Sequence, residues 1–249
     1  MRLEIQKVKT GRQQTSNLVR ASMMILKFLF GWHPKVNEDK RVAFIDVGGN
    51  IGWFTLVAAR NEFLVYTFEP MKSNTDALKY SLCLQPSLKE KVQIFEYGLG
   101  DQNYLCGIYS LDINIQNGLV KCESQFAAGA EFREFIQLKK LDDFIDNIPD
   151  DVLIGVMKID IEGYEYFLFK GGSQFINRYK IPYIIIEFLP ANMFRVGISP
   201  NDLILLINSM GYDVRVGGFD GDIYTSIEDM EKVYQRSAFE EVFLTLKIN

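Results

Sequence analysis

Residues 44–55 read FIDVGGNIGWFT, an apolar run that leads into an acid and a glycine-rich turn. The apolar run begins at Val42 and has the length of a buried strand, and the residues after Gly52 have the spacing of a helix. Glycines at such a junction let the backbone approach a ligand and adopt torsion angles that a side chain would forbid. The stretch therefore predicts a strand, a ligand-binding turn and a helix, which is the first unit of an α/β fold.

Short apolar runs alternate with amphipathic stretches along the rest of the chain. The predicted strands cover residues 42–47, 63–68, 92–97, 152–159, 181–188, 212–216 and 241–247. This alternation is typical of a parallel sheet with helices on both faces. We predict a Rossmann-like, seven-stranded, mostly parallel sheet in an α/β/α sandwich over residues 41–249, with a hairpin or irregular insertion near residues 98–140 and an N-terminal helical extension over residues 1–40.

Composition limits the class of protein. Apolar residues make up 48% and charged residues 24% of the chain, which is typical of a globular protein. The net charge of −5 and the dispersed lysines and arginines argue against nucleic-acid binding. The most apolar N-terminal stretch, residues 23–30, is far shorter than the ~20 residues of a membrane span, and it lacks a cleavage site, so we expect a cytoplasmic protein. We interpret Cys83, Cys106 and Cys122, which are scattered in sequence, as buried thiols in a reducing compartment.

The glycine-rich turn carries the pattern Asp46-x-Gly48-Gly49-Asn50-x-Gly52. A dinucleotide site requires a second glycine where Asn50 stands, so the turn does not match a pyrophosphate-binding loop. An acid at the end of the strand can attract an ammonium group, and the turn beside it can accept an uncharged adenosyl unit. The pattern therefore favours S-adenosylmethionine as the ligand. The alternative is a tight connection without a ligand.

Two further acids follow the next predicted strands. Glu69 comes 17 residues after Gly52, at the end of the second strand, where a carboxylate can accept hydrogen bonds from ribose hydroxyls. Asp101 follows the third strand, where an acid can meet the adenine amino group. The alternative for Asp101 is a residue that caps a turn.

Residues 157–165, MKIDIEGYE, follow the fourth predicted strand. Lys158 and Asp160 share one face of this strand because side chains alternate along it. Ligands of open α/β sheets bind at the carboxyl ends of the strands, so we expect Asp46, Glu69 and Asp160 to converge on one crevice.

These motifs resemble the FkbM-type methyltransferase family. Its D-x-G-x-N-x-G-x-F-(S/T) turn corresponds to residues 46–55, and its later blocks correspond to Leu141-Asp142-Asp143 and to residues 158–165. The match extends the predicted cofactor-binding set to Phe54 and Thr55. The resemblance implies a Rossmann-like fold, S-adenosylmethionine as the methyl donor, and O-methylation of a sugar or a small metabolite.

Methyl transfer to an alcohol needs a positioned acceptor and a group that removes its proton. Asp160 is our first candidate for the proton acceptor and Glu187 the second, and Lys158 either pairs with an acid or contacts the substrate. A structural role is the alternative for Asp160, and more so for Glu162. We predict no metal, although a divalent cation between Asp160 and Glu187 is an alternative.

Two other functional classes stay open from the sequence. One is a nicotinamide-dependent oxidoreductase, against which Asn50 argues, and the other is a cofactor-binding scaffold without transfer activity. We expect a small-molecule or glycan acceptor, no nucleic acid, no transmembrane segment, and the possibility of a homo-oligomer.

Overall fold

The computed structural model describes residues 41–110, 119–122, 130–233 and 241–247. The helical extension predicted over residues 1–40 lies outside this range. The strands are β1 Arg41–Val47, β2 Leu64–Phe68, β3 Val92–Phe95, β4 Gly98–Gly100, β5 Tyr104–Ser110, β6 Leu119–Cys122, β7 Glu131–Lys140, β8 Val152–Ile159, β9 Tyr183–Glu187, β10 Tyr212–Val216, β11 Asp222–Tyr224 and β12 Glu241–Leu246. The helices are α1 Trp53–Arg60, α2 Lys72–Leu84, α3 Pro86–Lys89, α4 Glu165–Gly171, α5 Ser173–Tyr179, α6 Pro190–Arg195, α7 Pro200–Ser209 and α8 Ile227–Val233, with a 3-10 helix at Leu141–Asn147.

The main sheet has the strand order β11-β10-β12-β9-β8-β1-β2-β3. Strands β9, β8, β1, β2 and β3 are parallel, and β12 runs antiparallel between β9 and β10. The chain winds outward from β1 in one direction and from β8 in the other, so right-handed crossovers place the connecting helices on opposite faces. The predicted Rossmann-like fold is confirmed.

The two central strands form the core because their sequences are apolar on both faces. Strand β1 is buried from Ala43 to Val47, and β8 buries Val156, Met157 and Ile159 completely. Parallel strands covered by helices on both sides require such continuous apolar runs. The adjacent ends of β1 and β8 form the point where the strand order reverses, which is the usual ligand site of an open α/β sheet.

The described part of the main sheet has eight strands rather than the predicted seven. The additional strand, β11, pairs antiparallel with β10 over three residues at the sheet edge. It begins just after the sequence GGFDG, residues 217–221, and three residues are too short for an alternating pattern to stand out.

Residues 98–140 carry a second sheet with the order β4-β7-β5-β6. Strand β5 pairs antiparallel with both β6 and β7. Small apolar side chains of this sheet form their own core, which includes Cys106, Ile108, Ile136 and Leu138.

The interpretation of the cysteines as buried thiols is wrong. Cys106 and Cys122 form a disulfide, and Cys83 is an exposed free cysteine. The two bonded residues face each other on β5 and β6, with their Cα atoms 4.1 Å apart. The pairing depends on the hairpin register, which the linear spacing of the cysteines does not reveal. None of the helices in the described ranges is long and apolar enough to cross a membrane.

Candidate functional site

The turn after β1 lies against the end of β2. The amides of Gly48 and Gly49 both donate to the carbonyl oxygen of Phe68, at 2.9 and 3.1 Å. Gly48 and Gly52 have φ angles of 77° and 92°, in the left-handed region that glycine tolerates. A Cβ atom on Gly48 would also overlap the backbone carbonyl of Asp160. The glycine at position 48 therefore allows the ends of β1 and β8 to approach each other.

Glu69 fixes the shape of this turn. Its Oε2 accepts the Asn50 amide at 2.9 Å, and its Oε1 accepts the Met71 amide at 2.9 Å and the Asn74 Nδ2 at 3.1 Å. Burial raises the pKa of Glu69, and these hydrogen bonds oppose that rise. The sequence stretch from β2 into α2 thus holds a buried carboxylate that faces the glycine turn.

Asp46 lies beneath the turn and is completely buried. Its Oδ2 accepts the hydroxyl of Thr55 at 2.6 Å, whereas its Oδ1 has no hydrogen-bond partner among the described residues. Burial raises the pKa of Asp46, and the charge of Lys158 opposes this rise. Asp46 therefore joins β1 to the first turn of α1 from behind the glycine backbone.

Lys158 occupies the strand position next to Asp46 in the register of β1 and β8. Its Nζ lies 2.8 Å from Oδ2 of Asp160 and 4.7 Å from the ring centroid of Phe54. Burial alone would lower the pKa of Lys158, but the charges of Asp160 and Asp46 outweigh burial and raise it. The lysine is therefore a buried cation that holds Asp160 at the end of β8.

Three carboxylates meet beyond this lysine. Oxygen atoms of Asp160, Glu162 and Glu187 all lie within 4.8 Å of one another. Burial and the charge of Asp160 raise the pKa of Glu187 far above its usual value, and Glu187 is hydrogen-bonded to Asp160. Burial also opposes ionisation of Asp160, but Lys158 outweighs it and lowers the pKa of Asp160. The pair therefore holds one proton on Glu187 and one negative charge on Asp160.

A cleft opens between the turn, the acids and the second sheet. It encloses about 770 Å³ of empty space, part of which is open to solvent. Gly48, Asn50, Glu69, Asp160 and Glu162 form its polar wall. The opposite wall is apolar and includes Tyr97, Leu99, Ile108, Val120 and Leu138.

The structure separates the predicted cofactor-binding residues into two groups. In the described chain the cleft wall includes Gly48, Asn50, Glu69 and Asp160, and it does not include Asp46, Gly49, Gly52, Phe54, Thr55 or Asp101. The carboxylate of Asp101 pairs with Lys170 at 3.1 Å. Contact between Asp101 and an adenine, or between Asp46 and an ammonium group, stays a prediction.

Sequence reasoning did not single out several residues of the wall. Met71 precedes α2 and Asn74 lies in its first turn, and both donate hydrogen bonds to Glu69. Tyr164 follows the acid-rich turn. Val120 belongs to the short strand β6. The only available signal was position: Met71 follows a predicted strand end, whereas a four-residue strand has no pattern strong enough to be recognised.

A model of the methyltransferase FkbM domain matches residues 46–214, which is more than half of the chain. The chain belongs to this family. The resemblance stated from the turn and from the acid-rich block is therefore confirmed. A search of curated proteins found no match.

Solved methyltransferase structures are similar to this FkbM chain at low identity. The FkbM methyltransferase of Methylobacillus flagellatus KT is 16% identical, with a TM-score of 0.49, over 83% of this chain and 44% of that one. Magnesium protoporphyrin IX methyltransferase of Synechocystis PCC 6803, solved with bound SAM, is 8% identical, with a TM-score of 0.47, over 96% of this chain and 82% of that one. The present chain thus spans less than half of the FkbM structure that it matches.

Proposed function

We propose that this FkbM-family chain transfers a methyl group from S-adenosylmethionine to a hydroxyl group of a small molecule or glycan. The observation that carries the proposal is the position of Glu69. Its buried carboxylate lines the same cleft as the glycine turn, one strand away from it, where the ribose of a nucleoside ligand is held in open α/β sheets.

The hydrogen-bonding groups and the apolar wall of the cleft fit this cofactor. A carboxylate offers about four acceptor directions, and Glu69 uses three of them for Asn50, Met71 and Asn74. One direction is left for a ribose hydroxyl, and rotation of the Asn74 side chain would release a second. The apolar wall around Tyr97 and Leu138 suits an uncharged adenine ring.

The opposite end of the cleft suits the cationic part of the same cofactor. Asp160 is ionised, lines the cleft, and has about a third of its side chain exposed. In this proposal Asp160 attracts the positive charge, and Asp46 acts beneath the turn by holding Thr55. Gly49, Gly52 and Phe54 likewise shape the turn and the start of α1. Asp101 is assigned to the adenine end, where it would have to leave Lys170.

When bound, S-adenosylmethionine supplies a methyl group on a positively charged sulfur. The residues of this chain then have to place an acceptor oxygen in line with that group and keep water away. Lys158 keeps Asp160 ionised and fixed in position. Glu187 already carries a proton at neutral pH and shares it with Asp160 in a hydrogen bond, so it cannot remove a proton from an acceptor.

Calorimetry with S-adenosylmethionine, S-adenosylhomocysteine and NAD tests the proposal. We expect the two adenosyl compounds to bind and NAD not to bind. Glu69→Gln should weaken binding of S-adenosylhomocysteine by tenfold or more, because an amide nitrogen would face backbone donors and a ribose hydroxyl. Glu90→Gln, an exposed glutamate before β3, is the matched control.

Binding of NAD alone would refute the proposal and favour an oxidoreductase. Binding of S-adenosylhomocysteine without methyl transfer to any alcohol, with tritiated methyl donor and a panel of monosaccharides and phenols, would favour the scaffold alternative.

A further inference from the structure

Glu162 stands apart from the other two acids of the cluster by its backbone. Its φ is 57°, a left-handed conformation that a residue with a branched or long side chain adopts rarely. The next residue, Gly163, has a φ of 103°, and a Cβ atom there would overlap the backbone of Asn192. The chain therefore passes close to α6 in a strained turn, and strain of this kind persists only where surrounding contacts enforce it.

The strained turn directs Glu162 into the cleft. Its side chain lines the cleft beside Asp160, and its Oε2 accepts Asn192 Nδ2 at 2.7 Å. Arg195 Nη1 in turn donates to Oδ1 of Asn192 at 3.1 Å, so the amide is fixed in its orientation. The amide thus holds the carboxylate of Glu162 at a defined place in the cleft.

The neighbouring acids are unsuited to proton removal, and this singles out Glu162. Asp160 is paired with Lys158 and is therefore a weak base, and Glu187 already holds a proton. We infer that Glu162 is the general base that accepts the proton of the acceptor hydroxyl. This inference rests on the proposed function.

The proton balance of the step is simple. The hydroxyl oxygen forms a bond to the methyl carbon while its proton moves to the Glu162 carboxylate. The bond between the methyl carbon and sulfur breaks, and its electron pair stays on sulfur. The positive charge of sulfur is thereby lost, and one carboxylate charge in the cleft is neutralised.

Burial and the charges around Glu162 bring its pKa close to neutral pH. Burial raises its pKa to about 7, and Asp160 adds to this rise. The hydrogen bond from Asn192, the charge of Arg195 on α6 and the charge of Lys158 on β8 oppose it. Glu187, at the end of β9, faces the same cluster in its protonated form. A base that titrates near neutral pH combines ionisation with affinity for the proton.

Two variants and one titration test the inference. Carbon-13 NMR of glutamate-labelled protein bound to S-adenosylhomocysteine should show carboxyl titrations near pH 7 for Glu162 and for Glu165, whose pKa burial also raises to about 7. Glu162→Gln should remove one of them, and Glu90→Gln should remove neither. An unchanged set of titrations in Glu162→Gln would overturn the inference.

Transfer of a tritiated methyl group to the same panel of monosaccharides and phenols supplies the catalytic readout. Glu162→Gln should lower kcat about 100-fold or more and leave the affinity for S-adenosylhomocysteine within about twofold. The wild-type rate should fall as the pH drops below about 7, because the base is then protonated. Glu162→Asp should keep part of the activity and this dependence on pH.

The outcomes separate the two levels of the argument. Failure of the wild type to bind S-adenosylhomocysteine defeats the proposed function, whereas full transfer by Glu162→Gln defeats the general base alone. Activity that EDTA abolishes and Mg²⁺ restores also overturns the inference, since a cation would then activate the hydroxyl. If the wild type methylates no compound of the panel, the scaffold alternative is favoured and the general base falls with the proposed function.

Discussion

The disulfide between Cys106 and Cys122 should stabilise the folded protein by joining β6 covalently to β5. Strand β6 is an edge strand whose neighbour within the second sheet is β5, and Val120 from this strand lines the cleft. The crosslink spans a sequence separation of 16 residues. Closing a loop of this size lowers the chain entropy of the unfolded state by an amount equivalent to about 3 kcal/mol at about 25 °C.

Replacing both cysteines with alanine should therefore lower the free energy of unfolding by about 3 kcal/mol. Cys106 is buried, and the loss of its sulfur contacts adds about 1 kcal/mol to the effect. For a domain of this size the combined loss of about 4 kcal/mol should lower the thermal midpoint by about 8–16 °C. Urea unfolding of the double variant and of the wild type measures the difference, and Cys83→Ala is the matched control because Cys83 is exposed.

Reduction offers an independent check of the same crosslink. The wild type in excess dithiol reductant should lose the stabilisation of about 3 kcal/mol from the crosslink and unfold slightly above the midpoint of the double variant, because it keeps the buried sulfur of Cys106, and the variant should not respond to the reductant. The reasoning is refuted if oxidised wild type releases three free thiols on denaturation, or if the wild type and the double variant unfold at the same urea concentration.

Three further predictions concern the turn and the buried acids. Gly48→Ala should lower the free energy of unfolding in urea more than Gly211→Ala does. Both glycines have a positive φ, which costs an alanine about 1–2 kcal/mol, but of the two only Gly48 would place its added Cβ atom against backbone. Equal losses in the two variants would contradict this. Thr55→Val should cost about 1–3 kcal/mol by the same measurement, because buried Asp46 loses its hydroxyl donor. Burial raises the pKa of Glu165 from 4.5 to about 7, so the folded state binds the proton of Glu165 more tightly than the unfolded state does. The free energy of unfolding of the wild type, relative to that of Glu165→Gln, should therefore fall by about 3 kcal/mol as the pH rises from about 4.5 to about 7. A difference between the two proteins that does not vary with pH would exclude this.

The main sheet could be predicted because its strands are buried on both faces. Strands β1 and β8 are apolar apart from Arg41, Asp46 and Lys158, and this pattern has few alternatives when turns and helical stretches flank it. The second sheet was harder to predict. Its strands have one exposed face, and Leu105 and Phe135 are apolar residues on that face, which disturbs the alternation that would have marked them as strands.

The position of a site residue depends on contacts that are distant in sequence. Glu69 lines the cleft because the end of β2 lies next to the end of β1. Asp101 also follows a strand, but Lys170, 69 residues away in the chain, pairs with it outside the cleft wall. In the sequence both acids simply follow a strand, and their different environments arise because α4 packs so that Lys170 reaches Asp101.

The protonation states of the three clustered acids likewise could not be predicted from the sequence, because they depend on contacts within the fold. Asp160, Glu162 and Glu187 are interchangeable as carboxylates in the sequence, yet in the structure the ammonium group of Lys158 forms its ion pair with Asp160. That contact fixes a negative charge on Asp160, and burial together with this charge keeps a proton on Glu187, with which Asp160 shares a hydrogen bond. Burial and the charge of Asp160 raise the pKa of Glu162 to about 7, so it is balanced between its two states near neutral pH. The different protonation states of Asp160 and Glu187 therefore depend on where Lys158 lies, and side chains alternate along β8 so that residues 158 and 160 share one face of the strand.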